Sequence, residues 1–127
     1  MNKTVKDILD AVYSALTIRP CYKHSFPDVV TGDTFAVVNT LGVPEDPIQV
    51  VEININVYAK DINIQQGIPN LTLLDTLSAS AIANVVGYHG TGANALYINF
   101  VTGSVIREPD LQMHFQNNRF RARFLGN

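Results

Sequence analysis

The chain has 127 residues, of which 46% are apolar and 16% are charged, and its formal net charge is −2. This length fits one domain, so we expect a single domain over residues 1–127. The apolar share is typical of a packed core and excludes a disordered chain. The near-neutral charge excludes a global electrostatic attraction to nucleic acid or to acidic membranes.

Cysteine usage and the start of the chain indicate an intracellular protein. Cys21 is the only cysteine, so an internal disulfide is impossible, and we expect its thiol to be a small buried group. The spacings Cys-x-x-Cys and His-x-x-x-His, which are typical of metal sites, do not occur. Met1 is followed by polar residues rather than a signal-peptide core, and no apolar run approaches the ~20 residues that span a bilayer. We therefore expect no membrane insertion, metal or cofactor.

The first predicted element is an amphipathic helix. It is expected to start at Thr4, with Asp7 three residues later as a short capping box. It is expected to end at Arg19, because the residue before a proline avoids the α region. Apolar side chains recur at i, i+3 and i+4 and predict one buried stripe: Val5, Ile8, Leu9, Val12, Tyr13 and Leu16.

Two strands are predicted next, after an irregular stretch at residues 21–32. Residues 34–41 are rich in β-formers, and residues 51–60 alternate apolar and polar side chains, which predicts one buried and one polar face. Residues 42–47 contain prolines and acids and indicate a mobile loop. The two strands are therefore expected to form an antiparallel hairpin.

A second helix is predicted from Asn70 or Thr72, either of which can cap it, to Gly87. Three glycines in the sequence GYHGTGAN, residues 87–94, predict a mobile connector. A phosphate-binding loop needs a strand before it and a helix after it, and here that order is reversed. The apolar face of the helix is expected to contain Leu71, Leu74, Leu77, Ala81, Ile82 and Val85.

The C-terminal third is predicted to be β-structure. Residues 95–101 form a strand, Gly103 and Ser104 mark a bulge or a break, and residues 108–110 form a turn. Apolar side chains alternate afterwards, but they change from odd to even positions at Asn117 and Asn118. A one-residue slip moves every side chain to the other face, so a bulge or a turn is expected there. We favour a bulge within one long strand.

These elements predict an α+β fold, namely an antiparallel β-sheet with two helices packed on one face, in the order α-β-β-α-β-β. In this prediction, the apolar face of the alternating strands packs against the apolar stripe of the first helix. The side chains expected beneath the helices are Ile53, Ile55, Val57, Phe100, Phe120 and Phe124.

No catalytic constellation emerges from the spacing of the titratable residues. The three histidines fall in a coil, a glycine loop and a strand, whereas a catalytic histidine needs a nucleophile and a carboxylate within reach. We therefore predict no catalytic residues and no enzymatic activity. Three carboxylates could come close to a histidine in the fold, but no spacing in the sequence indicates such a contact: Asp28, Asp33 and Asp110.

An arginine row is the most distinctive feature of the sequence. Arg119, Arg121 and Arg123 alternate with apolar residues, so they point to one side of a strand about every 7 Å. Three explanations remain: ion pairs with acids of the same chain, ion pairs with a neighbouring subunit, or contact with nucleic-acid phosphates. The last is the weakest, because the chain is net acidic and Phe120 and Phe124 lie on the opposite face. The candidate acids within the chain are Glu52, Asp61, Glu108 and Asp110.

The segment REPDLQMHFQNNRFRARF, residues 107–124, resembles the C-terminal region of tail-completion and tail-terminator proteins of long-tailed bacteriophages and prophages. The order of elements is similar over nearly the whole chain, from the amphipathic first helix through a β-hairpin and a second helix to two closing strands. The resemblance implies a tail-terminator-like domain with a structural role in virion assembly and no catalytic residues.

The resemblance also implies a location and partners. Such proteins form a ring, commonly a hexamer, that caps the tail tube and performs head-tail joining through the head connector, first in the host cytoplasm and then in the virion. Asn54, Asn56 and Tyr58 line a polar strand face that is either solvated or an interface. Alternative functions are another neck component, a small nucleic-acid-binding module, or an enzyme with the GYHGTG loop over a pocket. The predicted partner-contact residues are Asn54, Asn56, Tyr58, Arg119, Arg121 and Arg123.

Overall fold

A computed structural model describes residues 5–30, 32–43, 48–89 and 96–125 of the chain. Within these residues the chain forms two α-helices, α1 (Val5–Ala15) and α2 (Leu71–Val85). A short 3₁₀ turn, Pro109–Leu111, lies where the sequence predicts a turn. The described strands are β1 (Cys21–Lys23), β2 (Thr34–Val43), β3 (Ile48–Lys60), β4 (Gly87–His89), β5 (Leu96–Glu108) and β6 (Met113–Leu125).

The strands form one mixed sheet in the order β1-β2-β3-β6-β5-β4. β1 pairs with β2 in parallel, and the other neighbours are antiparallel. The predicted antiparallel sheet with the order α-β-β-α-β-β is therefore wrong, because the chain order is α-β-β-β-α-β-β-β. The two missed strands have three residues each, too few for a periodic signal. The predicted hairpin of β2 and β3 is confirmed, although residues 44–47 of its loop lie outside the described part.

Both helices pack on the same face of the sheet, mainly over β2, β3 and β6. Of the side chains predicted beneath them, Ile53, Ile55, Val57 and Phe120 are buried. The prediction is wrong for Phe100, which is 40% exposed although its ring packs edge-on against Phe120 at 5.4 Å. The side chain of Phe124 lies outside the described part of the structure.

The helix predictions hold in outline and differ at the ends. The buried residues of α1 include Ile8, Leu9 and Val12, as the stripe predicts, but α1 ends at Ala15 and its predicted start at Thr4 lies outside the described residues. Asn70 caps α2 by accepting a hydrogen bond from the amide of Leu73.

The outward face and the C-terminal end of α2 differ from the prediction. Leu71 is exposed rather than part of the apolar face. Gly87–His89 form β4 rather than a connector, and residues 90–95 are outside the described part.

The predicted bulge at Asn117 and Asn118 is wrong. β6 pairs with β3 in unbroken register from Ile48↔Leu125 to Lys60↔Met113. The register shift lies instead in β5, between Phe100 and Thr102. Apolar residues shift from odd to even positions because the apolar side chains of β6 change from one face of the sheet to the other. β6 remains a single long strand, as predicted.

The two halves of β6 contribute to different apolar clusters. Phe120 faces the helices, whereas Met113 and Phe115 join an aromatic cluster on the opposite face. Gly103 leaves room for two side chains of β6, since a Cβ atom there would lie 3.1 Å from Oδ1 of Asn118 and 3.1 Å from Nε2 of Gln116. The predicted break at Gly103 and Ser104 is consequently absent, and both residues pair with β6.

Candidate functional site

The candidate site is the face of the sheet opposite to the helices, here called the open face. On β3 and β6, every second residue points to this face because the intervening ones, such as Ile53 and Phe120, are buried beneath the helices. β3 and β6 are direct neighbours, and the register places Glu52 opposite Arg121 and Asn54 opposite Arg119. The predicted contact residues therefore share this face: Asn54, Asn56, Tyr58, Arg119, Arg121 and Arg123.

Arg121 is neutralised within the chain. Its Nε and Nη2 atoms both donate to Oε1 of Glu52, at 3.1 and 2.8 Å. The second carboxylate oxygen of Glu52, Oε2, is buried and has no hydrogen-bond partner among the described residues. For this one arginine, the structure shows the first of the three explanations, an ion pair with an acid of the same chain.

Arg119 and Arg123 are exposed, and the ion pairs formed by described residues include neither of them. Among the predicted acidic partners, Asp61 is paired with His114. Glu108 lies opposite Met113 at the far end of the sheet and acts electrostatically on Tyr58. The structure therefore separates the row into one neutralised arginine and two flanking cations.

An amide network crosses three strands beside these cations. Asn54 donates through Nδ2 to Oδ1 of Asn39 on β2 at 3.0 Å. Asn117 on β6 donates through Nδ2 to Oδ1 of Asn56 at 2.6 Å and to Oδ1 of Asn54 at 3.3 Å. These side chains are half-buried, so the network fixes their orientation while part of each amide still faces outward.

An aromatic cluster occupies the other end of the open face and includes Tyr58. The Tyr58 ring is only 5% exposed and stacks between Phe35 and Phe115, with centroids 4.3 and 4.7 Å away. Burial, followed by the negative charge of Glu108, raises the pKa of Tyr58 to about 12. Tyr58 is thus a core residue, and its ring is excluded from the proposed contact surface.

The sequence analysis missed a pair between Asp61 and His114. Oδ1 of Asp61 lies 2.7 Å from Nδ1 of His114, with Asp61 buried and His114 half-buried. The alternation of β3 places Asp61 on the same side as Ala59, and Ala59 pairs with His114, so only the pairing of β3 with β6 reveals the contact. No further side-chain hydrogen bond of His114 occurs among the described residues, so the contact links the end of β3 to β6.

The other two histidines and Cys21 have separate environments. His89 uses Nε2 to contact the carbonyl oxygen of Val85 at 2.6 Å, and His24 adopts a left-handed backbone conformation with φ of 72°. Cys21 is buried as predicted, and burial raises the pKa of its thiol. The described part of the chain contains no group of three or more His, Cys, Asp or Glu side chains that could hold a metal ion.

Neither described helix has the length and apolar character needed to cross a bilayer. A scan of the chain against protein-family models finds no match, and neither does a search of curated proteins. The open face is therefore the feature of the described structure that bears on function.

Proposed function

We propose that this protein is a structural subunit of phage tail completion, which assembles into a ring, caps the tail tube and joins it to the head connector. In this proposal the protein resides in the neck or tail of the virion. Its ring is a hexamer, as is common among the proteins that it resembles. The structural observation that carries the proposal is the pair of exposed arginines, Arg119 and Arg123, that no carboxylate of a described residue neutralises. No catalytic step is assigned.

The spacing of these arginines favours an extended acidic partner over a small anion. They lie four residues apart on β6, which corresponds to about 14 Å along a strand. Between them, Arg121 is already paired with Glu52, so a partner meets two separate cations rather than one cluster. The adjacent amide network adds hydrogen-bonding groups in fixed orientations.

A neighbouring copy of the chain can supply the carboxylates. The chain has 11 acidic and 9 basic residues. Asp28, Asp75 and Asp110 are exposed and take part in none of the ion pairs between described residues. In a ring, each interface joins two different patches of the same protein, so a cationic patch and an acidic patch on one subunit can be used together.

The test is charge reversal at Arg119 and Arg123, each changed to Glu. Lys60→Glu is the matched control, because it makes the same change of charge at the other end of β3. Assembly is measured by size-exclusion chromatography with light scattering, alone and in the presence of a phage tail-tube protein. We expect Arg119→Glu and Arg123→Glu to reduce ring formation or tube binding at least tenfold, with Lys60→Glu resembling the wild type. Unchanged assembly in both arginine variants would contradict the proposal.

A titration with DNA distinguishes the assembly role from nucleic-acid binding. The wild type and Arg119→Glu are titrated against a short DNA duplex at two salt concentrations. We expect binding no tighter than roughly 10⁻⁴ M at physiological salt, which is the range of non-specific contacts. Micromolar binding that weakens steeply with salt and is lost in Arg119→Glu would instead identify a nucleic-acid-binding module.

A further inference from the structure

The outer edge of β5 is unpaired over most of its length. β5 spans Leu96–Glu108, but β4 pairs only with its first three residues, from Gly87↔Ile98 to His89↔Leu96. On the other side, β5 pairs with β6 along its whole length apart from the bulge. Among the described residues, positions 99–108 therefore present free backbone amides and carbonyls, and this edge is regular from Thr102 to Glu108, beyond the bulge.

This edge has few of the features that normally block an added strand. Residues 99–106 contain no charged residue and no proline, which are the usual protections of an exposed edge. Val105 and Ile106 are 42% and 44% exposed, and Val101 at the bulge is also exposed. A long, uncharged edge with exposed β-branched side chains favours pairing with another strand.

The length of the edge favours a second β5 as the partner. At the opposite edge of the sheet, β1 covers residues 36–38 of β2, so the longest uncovered stretch there is residues 39–43. That stretch is shorter than the regular part of the β5 edge beyond the bulge, residues 102–108. Within the described chain, the free edge of β5 is therefore matched in length only by the same edge of another copy.

Charge decides the direction of pairing. In a parallel, in-register pair, Arg107 would face Arg107 of the other copy and Glu108 would face Glu108, which is unfavourable. In an antiparallel pair centred on Ser104, the two copies of Arg107 lie six residues apart, about 20 Å along the strand, which is beyond the Debye length at physiological salt. The antiparallel arrangement is also the one that a two-fold axis produces.

The bulge of β5 limits the register. β5 shifts register between Phe100 and Thr102, so regular pairing with another strand is confined to residues 102–108. Centring the pair on Ser104 places Thr102 opposite Ile106, so the regular overlap of residues 102–106 stays clear of the bulge and of β4, which ends opposite Ile98. Each residue in this overlap faces one on the same side of the sheet, so the helices of both copies lie on one side.

This register also pairs large side chains with small ones. Val105 faces Gly103 of the second copy, and Ile106 faces Thr102. Since Gly103 and Val105 lie on the helix face while Thr102 and Ile106 lie on the open face, matching occurs on both sides of the sheet. We infer that two copies of this chain join their β5 edges antiparallel about Ser104 and form a continuous twelve-stranded sheet. The inference is independent of the proposed role in tail completion.

The decisive experiment combines a blocking variant with a cross-linking variant. Val105→Lys places a charge at the edge, and its effect on mass is measured by light scattering over a range of concentrations. Both proteins carry Arg123→Glu, which removes the proposed ring contact. We expect the protein with the native β5 edge to reach twice the 14.0 kDa chain mass and the one with Val105→Lys to remain at one chain mass with an unchanged circular-dichroism spectrum. A protein with the native edge that stays monomeric, or a dimer that Val105→Lys leaves intact, would overturn the inference, as would assemblies that grow beyond two copies through this edge.

Ser104→Cys tests the register without adding charge. Residues that face each other across antiparallel strands have Cα atoms about 4.5–5.5 Å apart, which is within the range for a disulfide. The native Cys21 is buried and does not compete. We expect mild oxidation to link Ser104→Cys into a covalent dimer at least tenfold faster than Ala79→Cys, a control on the exposed side of α2. Equal rates in the two variants would exclude the register centred on Ser104.

Discussion

Arg121 and Glu52 form a cross-strand ion pair in which one carboxylate oxygen receives both guanidinium contacts. Nε and Nη2 of Arg121 lie 3.1 and 2.8 Å from Oε1 of Glu52, while Oε2 is buried and no described residue bonds to it. Among the described residues, Arg121 alone therefore neutralises the negative charge of Glu52. The pair also explains why the middle arginine of the row differs from Arg119 and Arg123, which remain exposed beside it.

The first prediction is that Arg121 and Glu52 are energetically coupled. Arg121→Ala leaves Glu52 without its ion-pair partner, whereas the double substitution with Glu52→Ala removes both charges. We expect a coupling free energy of about 1 kcal/mol, because the pair is partly solvated and therefore screened. A double-mutant cycle measured by urea unfolding checks this value. Additive effects of the two substitutions would show that the pair contributes nothing to stability.

The second prediction concerns the contact between Asp61 and His114. Asp61 is buried, so Asp61→Ala removes its contact with His114 and leaves a cavity beside the half-buried imidazole. We expect a loss of about 2 kcal/mol in the free energy of unfolding, measured with urea, because the substitution removes a buried hydrogen bond to a carboxylate. Asp75→Ala is the control on the exposed side of α2, where a surface substitution changes stability by about 0.5 kcal/mol or less. Equal effects of the two substitutions would contradict a structural role for the pair.

Local patterns predicted the facing of the long strands but not how far the helices cover them. The alternation in residues 51–60 correctly placed Ile53 and Ile55 in the core, because period 2 fixes which side of the sheet a residue faces. Phe100 lies on the same side as Phe120 yet remains exposed, because the helices lie mainly over β2, β3 and β6. Coverage depends on tertiary packing, which alternation does not encode.

The candidate site was predictable as a set of residues but not as a set of contacts. Spacing alone places Arg119, Arg121 and Arg123 on one face of a strand. Selecting Glu52 as the partner of Arg121 requires knowing that β3 and β6 are neighbours, and these strands are far apart in the chain. The same long-range pairing brings Asp61 next to His114, which explains why that contact was missed.

The third prediction compares two phenylalanines whose rings touch each other. Phe120 is fully buried and Phe100 is 40% exposed, with ring centroids 5.4 Å apart. We expect Phe120→Ala to reduce the free energy of unfolding by about 3–5 kcal/mol, and Phe100→Ala to cost less than half as much, because its ring is already partly solvated. Urea unfolding of both variants provides the measurement. A larger effect at Phe100 would show that a partner or a different packing covers β5.

The last prediction is a pH dependence that arises at Asp10. Hydrogen bonds from Lys23 and then Lys6, with Nζ atoms 2.8 and 2.7 Å from its carboxylate, lower the pKa of Asp10 from its ordinary value of 3.8 to about 2. Because the folded pKa is lower than the unfolded one, the unfolded chain takes up the proton first as the pH falls. The contribution of Asp10 is therefore complete above about pH 4 and is lost progressively toward about pH 2.

Asp10→Asn isolates this contribution from those of the other carboxylates. Urea unfolding of the wild type and Asp10→Asn is compared at about pH 5 and about pH 2.5, with Asp75→Asn as an exposed control. We expect the difference between the wild type and Asp10→Asn to shrink at the lower pH and also in 1 M salt, where the Debye length is about 3 Å and exposed ion pairs are screened. The Asp75→Asn variant should follow the wild type at both pH values. If the difference caused by Asp10→Asn were the same at both pH values, the two lysines would not be stabilising the charged carboxylate in solution.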